Sequence, residues 1–424
     1  MQRRHVLSLL ALGLGAGPIA ACGDSSRLPP LPDKLRARAP FKGLSEDSRI
    51  VLDGRDEDVL AEIARNALVR EIGFLESQGR SQLGTANYLA ISGGGENGAF
   101  GAGLLTAWSA LGTRPEFKVV TGISTGALIA PSAFLGPDYD KDLEFFYTKT
   151  SAQDVMTSRG LLTGLLSDSL YDSRPLLHTI RKFLTPALLA AIAYEYTTKG
   201  RLLFVATTNL DAPVGVMWNM GAIAASNHPR AAELFARILL ASASIPGIFP
   251  PVMIDIEVGN ERFEEMHVDG GTVAQVVLYP PSFGGADSSR VLAEADGKVI
   301  EALIKRPRRL FVIRNSRPGT DLSTIDRSTL KIMERALATL INTQGIGDLY
   351  QLYLLSLRDK MDFNLAYIPQ SFTDRLEQPF EKAYMTKLYE VGRQEMMTGR
   401  AWHKAPPGYD STPIHLPAGL SRLR

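Results

Sequence analysis

Gly122-Ile123-Ser124-Thr125-Gly126 constrains the fold of this 424-residue chain more than any other stretch. Before it stands Phe117-Lys118-Val119-Val120, a short run rich in β-branched residues. After it stands Ala127-Leu128-Ile129-Ala130, which suits a helix. A strand that turns sharply into a helix through G-x-S-x-G has the form of a nucleophile elbow. Such a turn strains the serine backbone and lifts its Oγ clear of the sheet. Gly122 and Gly126 are needed because side chains there would strike the neighbouring strand and helix. An ordinary strand-to-helix turn fits the same five residues. The motif therefore gains chemical meaning only with an oxyanion-binding loop and a base elsewhere.

One βα unit upstream, Asn87-Tyr88-Leu89-Ala90-Ile91-Ser92 reads as a buried strand. It runs straight into Gly93-Gly94-Gly95-Glu96-Asn97-Gly98 and a helix to about residue 111. Further strands are expected at 117–121, 201–207, 263–268, 310–313 and 363–367. Helices are expected at 56–78, 140–149, 172–184, 186–194, 229–242 and 376–397, with one at 323–357 broken near Thr343-Gln344-Gly345. Residues 282–297 read as an exposed loop. Strands alternating with helices predict an α/β fold, a mostly parallel central sheet with helices on both faces.

The glycine loop also satisfies G-x-G-x-x-G after a strand. That fingerprint wants an acidic residue about 20 positions on, at the end of the next strand, to hold a ribose. The next strand ends at Thr121-Gly122, and the nearest acid, Glu116, precedes it. Free backbone N–H groups at a helix start serve an anion equally well. Acyl transfer needs such donors for its oxyanion. A right-handed crossover puts the ends of consecutive parallel strands on one sheet edge. Gly93, Gly94 and Gly95 would then face a carbonyl attacked by Ser124.

A serine nucleophile needs a proton acceptor. Of six histidines, His5 leaves with a signal peptide. His403 and His415 fall in a polar, proline-containing tail. His267 lies two residues before Asp269. Asp269, at a strand end before Gly270-Gly271, is the better candidate, since partial burial would raise its pKa and strengthen it as a base.

The N-terminus carries other information. Arg3-Arg4-His5 precedes a short apolar stretch ending in Ile19-Ala20-Ala21-Cys22, similar to the lipobox of bacterial lipoproteins. Cys22 is the only cysteine, so no internal disulfide is available and a lipidated thiol explains the count. Residues 1–21 read as a signal peptide, exported by the general or the twin-arginine route. Residues 22–55, with their prolines, read as a tether. Residues 56–400 read as one domain and 401–424 as a polar tail. A formal net charge of +1 gives no support to nucleic-acid binding.

Together the motifs resemble the patatin-like phospholipases, lipid acyl hydrolases of bacteria and plants. Four stretches carry the resemblance over about residues 88–275. They are Ser92 to Gly98, Gly122 to Gly126, Ala241-Ser242-Ala243-Ser244-Ile245-Pro246-Gly247-Ile248-Phe249-Pro250-Pro251, and Asp269-Gly270-Gly271; Thr207-Thr208-Asn209-Leu210-Asp211 is a weaker match. The resemblance implies a three-layer α/β/α fold and a Ser124–Asp269 dyad without histidine. The glycine-loop amides would form the oxyanion hole, with Gly98, Gly122, Gly126, Gly270 and Gly271 in support. It implies no metal and no cofactor. The implied activity is cleavage of carboxylic esters in phospholipids or related acyl esters, with a lysophospholipase, an esterase or an acyltransferase on the same dyad as alternatives. A non-catalytic, lipid- or partner-binding envelope lipoprotein is the rival of another class. The implied place is the bacterial envelope, the outer membrane or periplasm ahead of the inner membrane, at a membrane surface through lipidated Cys22. Oligomeric state is left open. One departure stands out: several members begin the glycine loop with Asp, and this chain has Ser92.

Overall fold

The computed structural model describes residues 27–36, 44–160, 167–283, 297, 306–319, 324–376 and 378–409. Cys22, the signal sequence, the apolar stretch 161–166 (read either as core or as an acyl groove) and His415 lie outside them. So does most of 284–305.

Among the described residues nine strands form one sheet. They are β1 (Arg49–Val51), β2 (Ala86–Ile91), β3 (Val119–Ile123), β4 (Leu202–Asn209), β5 (Val214–Asn219), β6 (Val252–Val258), β7 (Glu261–Asp269), β8 (Arg308–Arg314) and β9 (Met361–Tyr367). The main order is β1-β5-β4-β3-β2-β8-β9. Five neighbours, β4-β3-β2-β8-β9, are parallel. β5 and β1 extend the sheet antiparallel, and the β6–β7 hairpin joins β4 through β7. The expected mostly parallel sheet with helices is what folds.

Alternation along the strands shows why. Leu89 and Ile91, Leu203 and Val205, and Phe311 and Ile313 pack into one core. Ala90, Leu310 and Val312 pack into a second on the opposite face, and Leu202 and Phe204 into a third. Both faces are buried, so these strands read as continuous apolar runs rather than alternating ones. Helices α2 (Gly98–Ala110), α3 (Thr125–Leu135), α7 (Ala231–Ser242) and α9 (Lys382–Met397) cover the first face. α1 (Glu57–Ser77) and α8 (Thr329–Arg358) cover the other. α4 (Asp140–Lys149), α5 (Arg174–Phe183) and α6 (Pro186–Thr197) complete the first layer.

Several boundaries differ from expectation. The helix expected to break near Gly345 is continuous through it. Gly345 is where α8 passes close to the segment that follows β7, since a Cβ there would stand 3.2 Å from the Gln275 side chain. The tether is docked in part: Arg27 pairs with Asp211 at 2.6 Å, Leu31 and Leu44 are buried, and β1 belongs to the sheet. The tail begins as packed structure. Trp402 sits 4.9 Å from Trp108 and 5.0 Å from Phe311, ring to ring. Pro229 is not the first helical residue; α7 starts two positions later, at Ala231.

Candidate active site

The site lies where β3 stops. Ile123, its last residue, pairs with Ala206 of β4, and the next β4 residue, Thr207, pairs with Asp269 of β7. β7 therefore takes the place beside β4 that β3 vacates at the elbow. That single change of neighbour brings together two residues far apart in sequence.

Ser124 has φ 55° and ψ −124°, the strained conformation expected of a nucleophile elbow. The two glycines of the motif are required by contact. A Cβ on Gly122 would stand 2.3 Å from the Gly126 carbonyl oxygen, and one on Gly126 2.3 Å from that of Ile91. The Ser124 backbone N–H donates to Ser242 Oγ at 2.9 Å, and that hydroxyl donates to the Ala206 carbonyl at 2.7 Å. Ser242 thus pins the elbow to β4. It lies inside the Ala-Ser-Ala-Ser-Ile-Pro stretch, but nothing in sequence assigned it a role; a buried serine ending an apolar helix was the available signal.

Asp269 is buried at 5% exposure. Its Oδ1 accepts the Gly271 N–H at 2.7 Å, and its own N–H donates to the Ser244 carbonyl at 2.8 Å. Burial pushes its carboxyl from 3.8 up to about 7; hydrogen bonds from the Ser124 hydroxyl and the Gly271 amide pull the other way without overcoming it. Gly270 fits because a Cβ there would stand 2.5 Å from the Ala206 carbonyl oxygen.

The glycine loop rests on the end of β8. Ser92 Oγ donates to the Gly93 carbonyl at 2.7 Å and accepts the Asn315 N–H at 2.9 Å. Asn315 Nδ2 donates to the Ser92 carbonyl at 3.0 Å, and its Oδ1 accepts the Gly101 N–H at 3.1 Å. Ser92 is therefore a clamp on the loop. Gly94, at φ 154°, passes so close that a Cβ would stand 2.3 Å from the Asn315 carbonyl oxygen. The three expected donors are not equivalent. The Gly93 N–H is occupied, donating to the Gln275 carbonyl at 3.1 Å, which corrects the expectation that it faces the substrate. Among the described residues the amides of Gly94 and Gly95 have no such acceptor. Gly98 packs against Thr125 and Tyr147, whose hydroxyls bond each other.

Ser124 and Gly95 open onto an apolar pocket. Its walls include Leu128, Phe146, Leu176 and Phe249.

The histidines stand elsewhere. His267 is fully buried, with Nδ1 2.9 Å from Thr207 Oγ1 and Nε2 3.1 Å from Glu265 Oε2, so both ring nitrogens are engaged. Burial holds its pKa below the ordinary value. His403 stacks on Tyr367 at 4.6 Å and bridges to Leu365 on β9, three strands from β3. It is packed against the sheet rather than set in a free polar tail, but it is remote from Ser124. His178 is exposed on α5. His228 Nδ1 accepts the Arg230 N–H in a turn.

Residues 89–280 match the family model of the patatin-like phospholipases, and they include the glycine loop, Ser124 and Asp269. Those residues form a patatin-like phospholipase domain. The family is one of lipid acyl hydrolases. Two solved structures are similar at low identity. The crystal structure of VipD from Legionella pneumophila is 12% identical, with 75% of this chain and 67% of that chain covered, at a TM-score of 0.32. Human GIVD cytosolic phospholipase A2 is 10% identical, with 79% of this chain covered, at a TM-score of 0.28. The chain spans about half of that enzyme, 53% of its length. No curated protein matches the chain.

Proposed function

We propose that the patatin-like domain hydrolyses acyl esters of membrane lipids through a Ser124–Asp269 dyad. One observation carries the reading: β7 takes the place that β3 vacates beside β4, and so sets Asp269, a buried carboxyl raised to about 7, at the end of the strand that leads into the strained elbow serine. A base with a pKa near the working pH combines a useful ionised fraction with real proton affinity.

The chemistry follows from the placement. Ionised Asp269 accepts the Ser124 proton as Oγ attacks the ester carbonyl. The carbonyl oxygen becomes an oxyanion facing the Gly94 and Gly95 amides. Collapse breaks the ester C–O bond; protonated Asp269 returns its proton to the departing alcohol, leaving acyl-Ser124. Water, deprotonated by Asp269, then releases the fatty acid and restores the serine hydroxyl. The apolar pocket beside Ser124 suits an acyl chain. Lipidation of Cys22 would hold the enzyme at its substrate in the bacterial envelope.

The test is fatty-acid release from phospholipid vesicles by the purified chain and by Ser124→Ala, with lysolipid added as a possible acceptor. Release by the wild type and none by Ser124→Ala supports the reading. Acyl transfer to lysolipid in place of release makes the enzyme a transferase on the same dyad. Undiminished release by Ser124→Ala refutes it. Labelling of growing cells with a radioactive fatty acid, lost in Cys22→Ala, tests the anchor.

A further inference from the structure

α8 has two halves with different surroundings. From Leu349 onward it packs on the sheet: Leu349, Leu352 and Leu355 are buried against Leu310, Val312, Phe363 and Leu365. Its end, Asp359, is level with the start of β8, because Arg308 donates to the Asp359 carbonyl at 3.2 Å. Its middle is level with the end of β8, because Arg314 NH2 lies 2.8 Å from Asn342 Oδ1. The helix therefore runs antiparallel to the parallel strands, and residues 329–341 lie beyond their C-terminal ends. At ~1.5 Å per residue that is about 20 Å of helix on the edge of the sheet that holds Ser124.

This outer half is amphipathic. Met333, Leu337 and Leu340 repeat at helical spacing with Ile332 beside them, while Lys331 and Arg335 fall on the opposite side. The four apolar side chains are 39% to 67% exposed. Leu210 and Val273, also exposed, lie on the same edge of the sheet, and the Val273 carbonyl accepts from Gln344 at the foot of the projecting half. Arg27, the first described residue, lies there too. Arg27 is bonded to Asp211 and to the Glu264 carbonyl, both past the C-terminal end of β4. Cys22 stands five residues earlier, so it reaches at most about 18 Å from that point. Between β4 and β8 lie three strand spacings, about 14 Å.

We infer that residues 329–342 of α8 are a membrane-docking element, which lays its apolar face into the lipid surface that Ser124 works on. A helix with one apolar face and charges opposite lies in the plane of the interface and binds by apolar burial. Among the described residues no single helix is long and apolar enough to cross a membrane. An anchor at Cys22 would tether the chain at one point and leave its orientation free, so a second contact on the same edge fixes which face meets the lipid. The elbow then faces the lipid rather than solvent. This orientation rests on Ser124 being the nucleophile; the docking itself does not.

The test uses the full mature chain carrying Cys22→Ser, so that no anchor contributes. Met333→Gln, Leu337→Gln and Leu340→Gln are combined, since glutamine keeps helix propensity. Binding to phosphatidylethanolamine–phosphatidylglycerol vesicles should weaken about 100-fold, with vesicle turnover falling alongside. Turnover of a soluble short-chain ester should stay unchanged. A separate Leu337→Trp chain should shift its emission to the blue on vesicle addition, a reading that does not depend on the triple variant folding. Ser124→Ala should bind vesicles as the wild type does, so failed chemistry leaves the docking result legible. Vesicle binding within about twofold of the parent in the triple variant overturns the inference. So does an unshifted tryptophan. So does a parent that is dimeric in solution and becomes monomeric in the triple variant, which would assign the face to a second copy.

Discussion

Glu265 and Asp269 lie on one face of β7, four residues apart, and both are buried, yet their surroundings drive them in opposite directions. Burial alone would raise Glu265, but His267 at 3.1 Å and Arg49 at 2.9 Å hold it down to about 2. The chain of donors closes around it. Trp218 donates to Thr207 Oγ1, leaving the Thr207 hydroxyl to donate to His267 Nδ1 and His267 Nε2 to donate to Glu265. This tautomer follows from the network. Among the described residues no cation lowers Asp269; the Ser124 hydroxyl and the Gly271 amide pull it down, and burial carries it up to about 7. A buried acid with a matched cation serves the fold. One left uncompensated beside a hydroxyl has a proton affinity that chemistry uses.

The largest effect that probes this contrast is Asp269→Asn. Turnover should fall about a thousandfold, the usual scale of lost general-base catalysis. Stability should move the other way. The folded-state pKa of Asp269 is raised, so folding favours its protonated form, and stability is lost as pH rises from 3.8 towards about 7. Removing that charge relieves up to about 4 kcal/mol at neutral pH, at ~1.4 kcal/mol per pH unit. A thermal melt should show a raised Tm.

Glu265→Gln should do the reverse. It strands Arg49, whose Nε and NH1 already lack partners, so the fold should lose about 3–5 kcal/mol while kcat in the folded fraction changes little. In the wild type the depressed carboxyl contributes stability above 4.5, and that contribution is lost as pH falls towards about 2. Urea titrations across that window check it. A smaller effect belongs to Ser242→Ala. Loss of its bonds to Ser124 and Ala206 should cost about 1–1.5 kcal/mol and lower kcat about tenfold. Smallest of all, His403→Ala should leave kcat unchanged.

Much of the site is legible in sequence because glycines record close approaches directly. Gly122, Gly126 and Gly270 stand where a Cβ would meet backbone, and Asp269 is marked by the glycine that follows it. The parallel strands declare themselves as apolar runs. The β6–β7 hairpin was half missed, although Gly259-Asn260 between two alternating stretches is a turn signal. β5 was missed beside it. Other features depend on partners distant in sequence. Nothing near Ser92 announces Asn315, nothing near Gly93 announces that Gln275 occupies its amide, and nothing near His267 announces Arg49. The docking of residues 27–36 and 401–409 is similarly encoded by surfaces that form only on folding.

The most direct measurement of the central claim is fluorophosphonate labelling followed by mass spectrometry across pH. The dyad predicts one adduct, on Ser124, with a labelling rate that rises through about pH 7 as Asp269 ionises. In Asp269→Asn that rise should vanish and labelling should slow by about 10² or more. No adduct on folded protein, or Ser124 labelled at an undiminished rate in Asp269→Asn, would contradict it.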